Sequence, residues 1–376
     1  MTIALAWKIL THDKGRTLLA LLGMFMAILL VFIQLGLFFA VPLGGMLLYD
    51  NMRFDLLLVS SHYEYQAQPG VFSLSQLAAA RASPDVAEAT PIYFGFAKWK
   101  GGVGGSWPDL FVIGIDPASG ALTPDSIATQ SDALARPDTM LVDSTTRPIF
   151  GSLATSRLVQ IDDRNETIVG QYLLGTGFMG LGVALVDEAN FARLFPRRGL
   201  GQVNLGAIRL KPGVNPDRAA ADLQKTIGPG AQLFTRAKLA GRETSYWTTR
   251  TSVGLIFGSG LLISIVVGIM VVYQIVSTQV TRQLPQFATL KAIGYGDGAL
   301  AVTVAAMSVM IAVAGFAPAV GAAVGLYGAI RQKTLLPVTM SPGHVAAVLA
   351  AALVMAAVSA LLAVGGLRRA DPADVF

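Results

Sequence analysis

The side chains able to do chemistry are few, and their spacing does not suit it. Three histidines, His12, His62 and His344, are scattered through 376 residues that contain no cysteine. Neither a His/Cys metal cluster of the usual ligand spacing nor a thiolate nucleophile can be built from them. A Ser-His-Asp site would have to use His62, and no G-x-S-x-G elbow offers it a serine. Asp162, Asp163 and Glu166 make one small acidic group, which reads as a turn between strands sooner than as a cation site. No G-x-x-x-x-G-K-[ST] loop occurs, so ATP has no P-loop in this chain. The expectation is a non-catalytic protein that holds no metal and no cofactor.

One segment is patterned for contact instead. Gln286–Ile293 can form a short helix, with Pro285 in its first turn and Gly294 closing it. Phe287, Leu290 and Ile293 then fall at i, i+3 and i+6 and make an apolar ridge. A loop helix lying in a membrane interface and a helix received by a partner both fit this pattern.

Hydropathy sets the elements around that segment. The chain is 53% hydrophobic and 14% charged, against roughly 25% charged in an ordinary soluble domain. Four charge-free intervals hold the roughly 20 apolar residues that cross a bilayer: Leu18–Val41, Val253–Val276, Ala299–Leu326 and Val345–Leu367. A fifth uncharged run, Thr167–Val186, carries Gly170, Gly175, Gly177, Gly180 and Gly182, and glycine at that density argues for paired strands. The first apolar stretch exceeds the roughly 7–15 residues of a signal h-region, which makes it a retained anchor. Ahead of it, Leu5, Ile9 and Leu10 oppose Lys8, His12 and Lys14, as in a helix along the membrane surface.

Charge gives the orientation. From Tyr49 to Arg250, 19 Lys/Arg meet 19 Asp/Glu, so the net charge of +5 resides in the apolar segments and their flanks. A nucleic-acid-binding basic domain is thereby excluded. The positive-inside bias puts Lys8, Lys14, Arg16, Arg282, Lys291, Arg368 and Arg369 on the cytoplasmic side, and leaves only Arg331 and Lys333 in the short loop opposite. The expected fold is an α-helical membrane protein of four transmembrane helices, arranged one plus three, with a large α+β extracytoplasmic domain between helices 1 and 2. The expected divisions are 1–17 (interfacial helix), 18–48 (first span), 49–250 (domain), 251–281 (second span), 282–298 (cytoplasmic segment), 299–327 (third span), 328–344 (outer loop), 345–367 (fourth span) and 368–376 (tail).

Within 49–250, β-α-β halves at 49–117 and 201–250 flank a β-rich insertion at 118–200. Ser73 or Ser75 caps one helix, and Asn215-Pro216 starts another. In the spans, small residues recur at Gly260, Ser264 and Gly268 and at Gly321 and Gly325. They permit close helix approach, either inside one bundle or at a dimer interface. Pro318 is expected to kink the third span.

Several of these segments resemble a known family. Phe287-Ala-Thr-Leu-Lys-Ala-Ile-Gly-Tyr-Gly-Asp-Gly298 is similar to the coupling helix of the MacB/FtsX/LolC (type VII ABC transporter) permease superfamily. Leu5–Leu19 and Gln283–Tyr295 resemble its DevC branch in particular, and Arg369-Ala-Asp-Pro-Ala373 resembles the tail after the last span. Leu284-Pro285 departs from the charged pair of many members. The resemblance implies a homodimeric permease of the bacterial inner membrane, with both termini cytoplasmic. Its partners would be an ABC ATPase that binds ATP and Mg, a periplasmic adaptor (membrane-fusion protein) leading to an outer-membrane duct, and membrane lipids. Pro285, Gln286, Phe287, Leu290, Lys291, Ile293, Gly294 and Tyr295 would couple to the ATPase. The implied function is export of a lipid, glycolipid or other amphipathic cargo. An FtsX-like transducer that activates a periplasmic hydrolase, or a lipoprotein-releasing permease, shares the layout.

Overall fold

The computed structural model describes residues 2–12, 14–175, 177, 179–283, 296–334 and 336–367. The chain divides into two compact units, one of residues 1–40 with 251–376 and the other of residues 41–250.

The first unit is helical. A short helix, Thr2–His12, buries Ala6 and Leu10 in the unit's core and leaves Lys8 and His12 exposed. Four helices are long and apolar enough to cross a membrane, over Thr17–Asp50, Ser252–Arg282, Ala301–Lys333 and Pro342–Gly365. The fourth packs on the second and third through a row of small residues, Ala352, Ala356, Ala360 and Ala363, all buried. Small side chains let backbones approach closely, which is how helices associate where lipid removes the hydrophobic drive between them. Tyr327 donates its hydroxyl hydrogen to the Phe32 carbonyl, and a Cβ at Gly36 would strike the Tyr327 ring. The third helix differs from the expected span. Its helix runs Asp297–Thr334, so Arg331 and Lys333 lie in its last turn instead of in a loop. Cations there complement the carbonyl end of the helix dipole, and a charge ends a hydropathy window without ending a helix.

The second unit is built on one nine-stranded sheet. Its strands are β1 (Leu56–Ser60), β3 (Val86–Lys100), β4 (Asp109–Gly114), β5 (Thr139–Asp143), β6 (Leu158–Ile161), β7 (Arg164–Tyr172), β8 (Val183–Val186), β10 (Leu205–Leu210) and β11 (Ala231–Thr235). A separate pair joins β2 (Phe72–Ser73) to β9 (Gln202–Val203). The order in the sheet is β11-β1-β10-β3-β4-β8-β5-β7-β6, with β6 also touching β3. Strand β3 holds the territories together: Val86–Ile92 pairs with β10, Tyr93–Lys98 with β4, and Trp99–Lys100 with β6. The halves and the expected insertion therefore share a single sheet.

Both faces of that sheet are covered, which is why its strands read as apolar runs. Alternate residues go to opposite cores: Leu110 and Val112 to one, Phe111 and Ile113 to the other. Helices Leu74–Arg81 and Pro216–Ile227 cover the first face, started by a Ser73 capping box and by Asn215 accepting from the Asp217 and Arg218 amides. Helix Glu188–Leu194 adds Phe191. Two glycines make room for it. A Cβ at Gly114 would sit 2.6 Å from Phe191 Cβ, and one at Gly95 would strike the Phe195 ring. Phe191 and Phe195 then lie 4.6 Å apart between ring centres, directly over β3 and β4. Gly95→Ala should lower stability by about 1–3 kcal/mol, the usual cost of overpacking. Chemical unfolding followed by intrinsic fluorescence checks this, and adding Phe195→Ala should remove the extra loss caused by the clash.

Candidate functional site

The residues expected to couple to a partner, Pro285, Gln286, Phe287, Leu290, Lys291, Ile293, Gly294 and Tyr295, lie outside the described residues. Helix Ser252–Arg282 leads up to them and closes with the Gln283 amide donating to the Gln279 and Val280 carbonyls, and the next helix begins at Asp297. The tail from Arg368 onward is likewise outside.

The small-residue positions divide into two groups. Gly260 lies against Gln34, where a Cβ would come within 2.6 Å of the amide oxygen, and Gly268 faces Met355 and Ala27. Buried Ser264 donates to the Gly260 carbonyl at 2.7 Å. These three are used by packing within the chain's own bundle. Gly321 and Gly325 have open space around their Cα atoms.

The chemistry-bearing residues are also apart. His62 is exposed, with its amide donating to Ser60 Oγ at 3.2 Å, and His344 stacks on Phe39 at 4.9 Å. Asp162 and Asp163 form the turn between β6 and β7. Asp162, at φ +49°, accepts from the Lys98 amide at 2.9 Å, and Asp163 pairs with Lys100 at 3.1 Å. Glu166 stands away from them, fully buried with no hydrogen-bond partner to either oxygen among the described residues. Burial first, and Asp138 second, push its pKa up to about 7.

A buried cluster of two tyrosines and a glutamate lies where the second unit's chain begins and ends, and sequence reasoning missed it. Tyr49 and Tyr63 share a hydrogen bond of 2.6 Å between hydroxyls, and Tyr63 donates on to Glu243 Oε1. All three side chains are buried. Arg242 donates to the Tyr63 carbonyl at 2.5 Å. Tyr65 stacks on Tyr246 at 4.5 Å, with Trp247 edge-on to both. Gly45 admits the indole, since a Cβ there would be 2.7 Å from Trp247 Nε1. Arg236 then ties the two ends together. It donates to the Tyr49 and Met52 carbonyls at 2.9 and 2.8 Å and lies 4.3 Å over the Phe54 ring. Burial raises the Tyr63 hydroxyl well above its usual pKa. Burial also pushes Glu243 up to about 7, against the opposing pull of the Tyr63 hydroxyl, the Gln66 backbone and the Trp247 side chain. The cluster can hold or release a proton near neutrality while it fastens the segments on either side of the sheet domain.

Comparison with known proteins adds one family match. Residues 258–372 match the family described as FtsX-like permease C-terminal, a stretch that takes in most of the last three apolar helices. No curated protein matches the chain. Among solved structures, the periplasmic region of MacB from Actinobacillus actinomycetemcomitans is similar at 11% identity, covering 50% of this chain and 91% of that one with a TM-score of 0.35. The extracellular domain of the noncanonic ABC-type transporter YknZ from Gram-positive bacteria is similar at 12% identity, covering 48% and 99% with a TM-score of 0.34.

The titration of Glu243 has a sign that can be measured. Its folded pKa of about 7 lies above the unfolded value of 4.5. The folded state therefore holds a proton that the unfolded state has lost, and stability falls as pH rises between those two values. Glu166 acts in the same direction over the same range. The thermal midpoint should drop between about pH 5 and pH 7 and level off above that, because a carboxyl whose pKa folding raises gives up its proton in the folded state over that range. Glu243→Gln should flatten part of the slope while keeping the Tyr63 contact, as read from melting curves across that range.

Proposed function

We propose that this chain is the membrane-spanning permease subunit of an ABC-type export complex, driven by an ATPase on a separate polypeptide. The observation that carries this reading is the match of residues 258–372 to the FtsX-like permease C-terminal family, over helices long and apolar enough to cross a membrane. The sequence contains no P-loop, so nucleotide binding falls to a partner. In this reading the ridge of Phe287, Leu290 and Ile293 receives the ATPase in the cytoplasm, and residues 49–250 form the extracytoplasmic output. The positive-inside distribution of Lys8, Lys14, Arg16, Arg282 and Lys291 supports that orientation.

Work is done by moving helices, with no ion pathway through them. The subunit acts as a homodimer, for which the open positions Gly321 and Gly325 offer a close-packing face. A periplasmic adaptor and an outer-membrane duct complete the route, and the cargo is a lipid, glycolipid or other amphipathic molecule. The uncharged interiors of the spans support that cargo class, since lipid-facing helices without ionisable groups leave an amphiphile free to move laterally.

Leu290→Asp places a charge in the middle of the ridge. Export should fall by about tenfold or more, as expected when a buried apolar anchor is replaced, while the amount of protein in the membrane stays the same. Unchanged export would remove the role assigned to this segment. Co-purification from detergent separates the readings: an adaptor and an ATPase support export, whereas an ATPase with a peptidoglycan hydrolase or a lipoprotein carrier points to a transducer or a lipoprotein-releasing permease.

A further inference from the structure

A groove of about 630 Å³ opens on the second unit beside the β6–β7 turn. Its walls carry six cations, Lys98, Lys100, Arg164, Arg193, Arg197 and Arg198, against two carboxylates, Asp162 and Asp163. Residues 49–250 as a whole carry 19 Lys/Arg and 19 Asp/Glu, so the groove is a local excess within a neutral domain. Three of the cations are partly answered: Lys98 pairs with Asp109 at 2.7 Å, Lys100 with Asp163 at 3.1 Å, and Arg164 with Asp138 at 3.6 Å. The other three arginines form no ion pair with a carboxylate among the described residues.

Each of those three is held differently. Arg193 donates to Asn190 Oδ1 at 2.8 Å, which orients its guanidinium with donors to spare. Arg198 is half-buried and donates to the Phe94 carbonyl and to Asn204 Oδ1, both neutral acceptors, with the Phe191 ring 5.5 Å away. Burial lowers its pKa, so the charge is desolvated without a counter-charge in its hydrogen bonds. Arg197 is exposed, and its guanidinium has no partner among the described residues. A partly desolvated guanidinium with neutral acceptors attracts an anion more strongly than one in open water. The phenylalanines seated on Gly95 and Gly114 fix the segment that carries all three.

The same groove is lined by an aromatic side chain. Trp107 is 60% exposed, unusual for so large a side chain, and Lys100 Nζ lies 5.5 Å from its ring centre. The hairpin loop that presents it is closed by the Gly102 amide on the Ser106 carbonyl at 3.0 Å, with Gly104 at φ +68° making the turn. Guanidinium groups and an exposed indole lining one groove suit a ligand with a phosphate beside an apolar portion.

We infer that this groove binds a phosphate-bearing anionic amphiphile, with Arg193, Arg197 and Arg198 receiving the phosphate and Trp107 the apolar part. The inference stands on the groove alone and does not need the permease reading. The full chain in detergent is titrated with dihexanoyl phosphatidic acid, dihexanoyl phosphatidylcholine, inorganic phosphate and an oligoglutamate peptide, read by calorimetry. Phosphatidic acid should bind at least about tenfold tighter than phosphatidylcholine, a difference of about 1.4 kcal/mol. Arg197→Glu should abolish that preference without changing the melting temperature. Trp107→Ser should weaken phosphatidic acid while leaving inorganic phosphate unaffected. Equal affinity for phosphate and phosphatidic acid would support a phosphate site and assign its source to the free anion. Binding that ignores Arg197→Glu, binding of no phosphate compound, or binding of oligoglutamate alone would each overturn the inference, the last in favour of an acidic protein segment.

Discussion

Strand β3 has to pair with β10, β4 and β6 in succession along one length, and the placement of the other elements follows from that demand. Its residues must satisfy two cores at once, with Tyr93, Ala97 and Trp99 facing one and Ile92 and Phe94 the other. A slip of one position would exchange the two sets. Gly95 interrupts the alternation where the Phe195 ring needs its space, and Gly114 does the same on the neighbouring strand for Phe191. The bed so formed seats the segment carrying Arg193, Arg197 and Arg198, so the groove's charge is positioned by the absence of two side chains on the sheet.

The helical unit is governed by a different balance. Where hydrocarbon is the solvent, burying one more leucine between helices gains little, and contact depends on fit and on the few available hydrogen bonds. The fourth helix meets this with a row of alanines, and Ser359 donates to the Ile269 carbonyl at 2.9 Å. The second helix does the reverse on its outer side, leaving Leu255 and Met270 largely exposed. That distribution would be costly in water and costs nothing against lipid.

The parts of this molecule that could be read from sequence are those whose signal is local. Four uncharged intervals announce helices, and because both faces of the sheet are covered its strands appear as apolar runs that hydropathy detects. The Asn215-Pro216 start and the Ser73 cap were legible for the same reason, since a cap is made by residues within one turn. The third helix runs on past its apolar window, because Arg331 and Lys333 stop such a window while favouring a helix terminus. The glycine-rich run after Thr167 was correctly read as non-helical, and its strands end at Tyr172 and resume at Val183. The cluster of Tyr49, Tyr63 and Glu243 could not have been found: its central hydrogen bond joins residues 180 positions apart, and none of the three is unusual where it stands. The groove was hidden likewise, its cations coming from β3, β7, helix Glu188–Leu194 and the stretch that follows it.

Arg236 reaches the chain of Tyr49 and Met52 through their carbonyl oxygens, which every amino acid possesses. The fastening is thus indifferent to which side chains occupy those two positions, and it brings the two ends of the sheet domain next to each other. A domain whose ends meet behaves as a cassette: it can be exchanged for another of different surface and specificity without lengthening or re-registering the helices on either side.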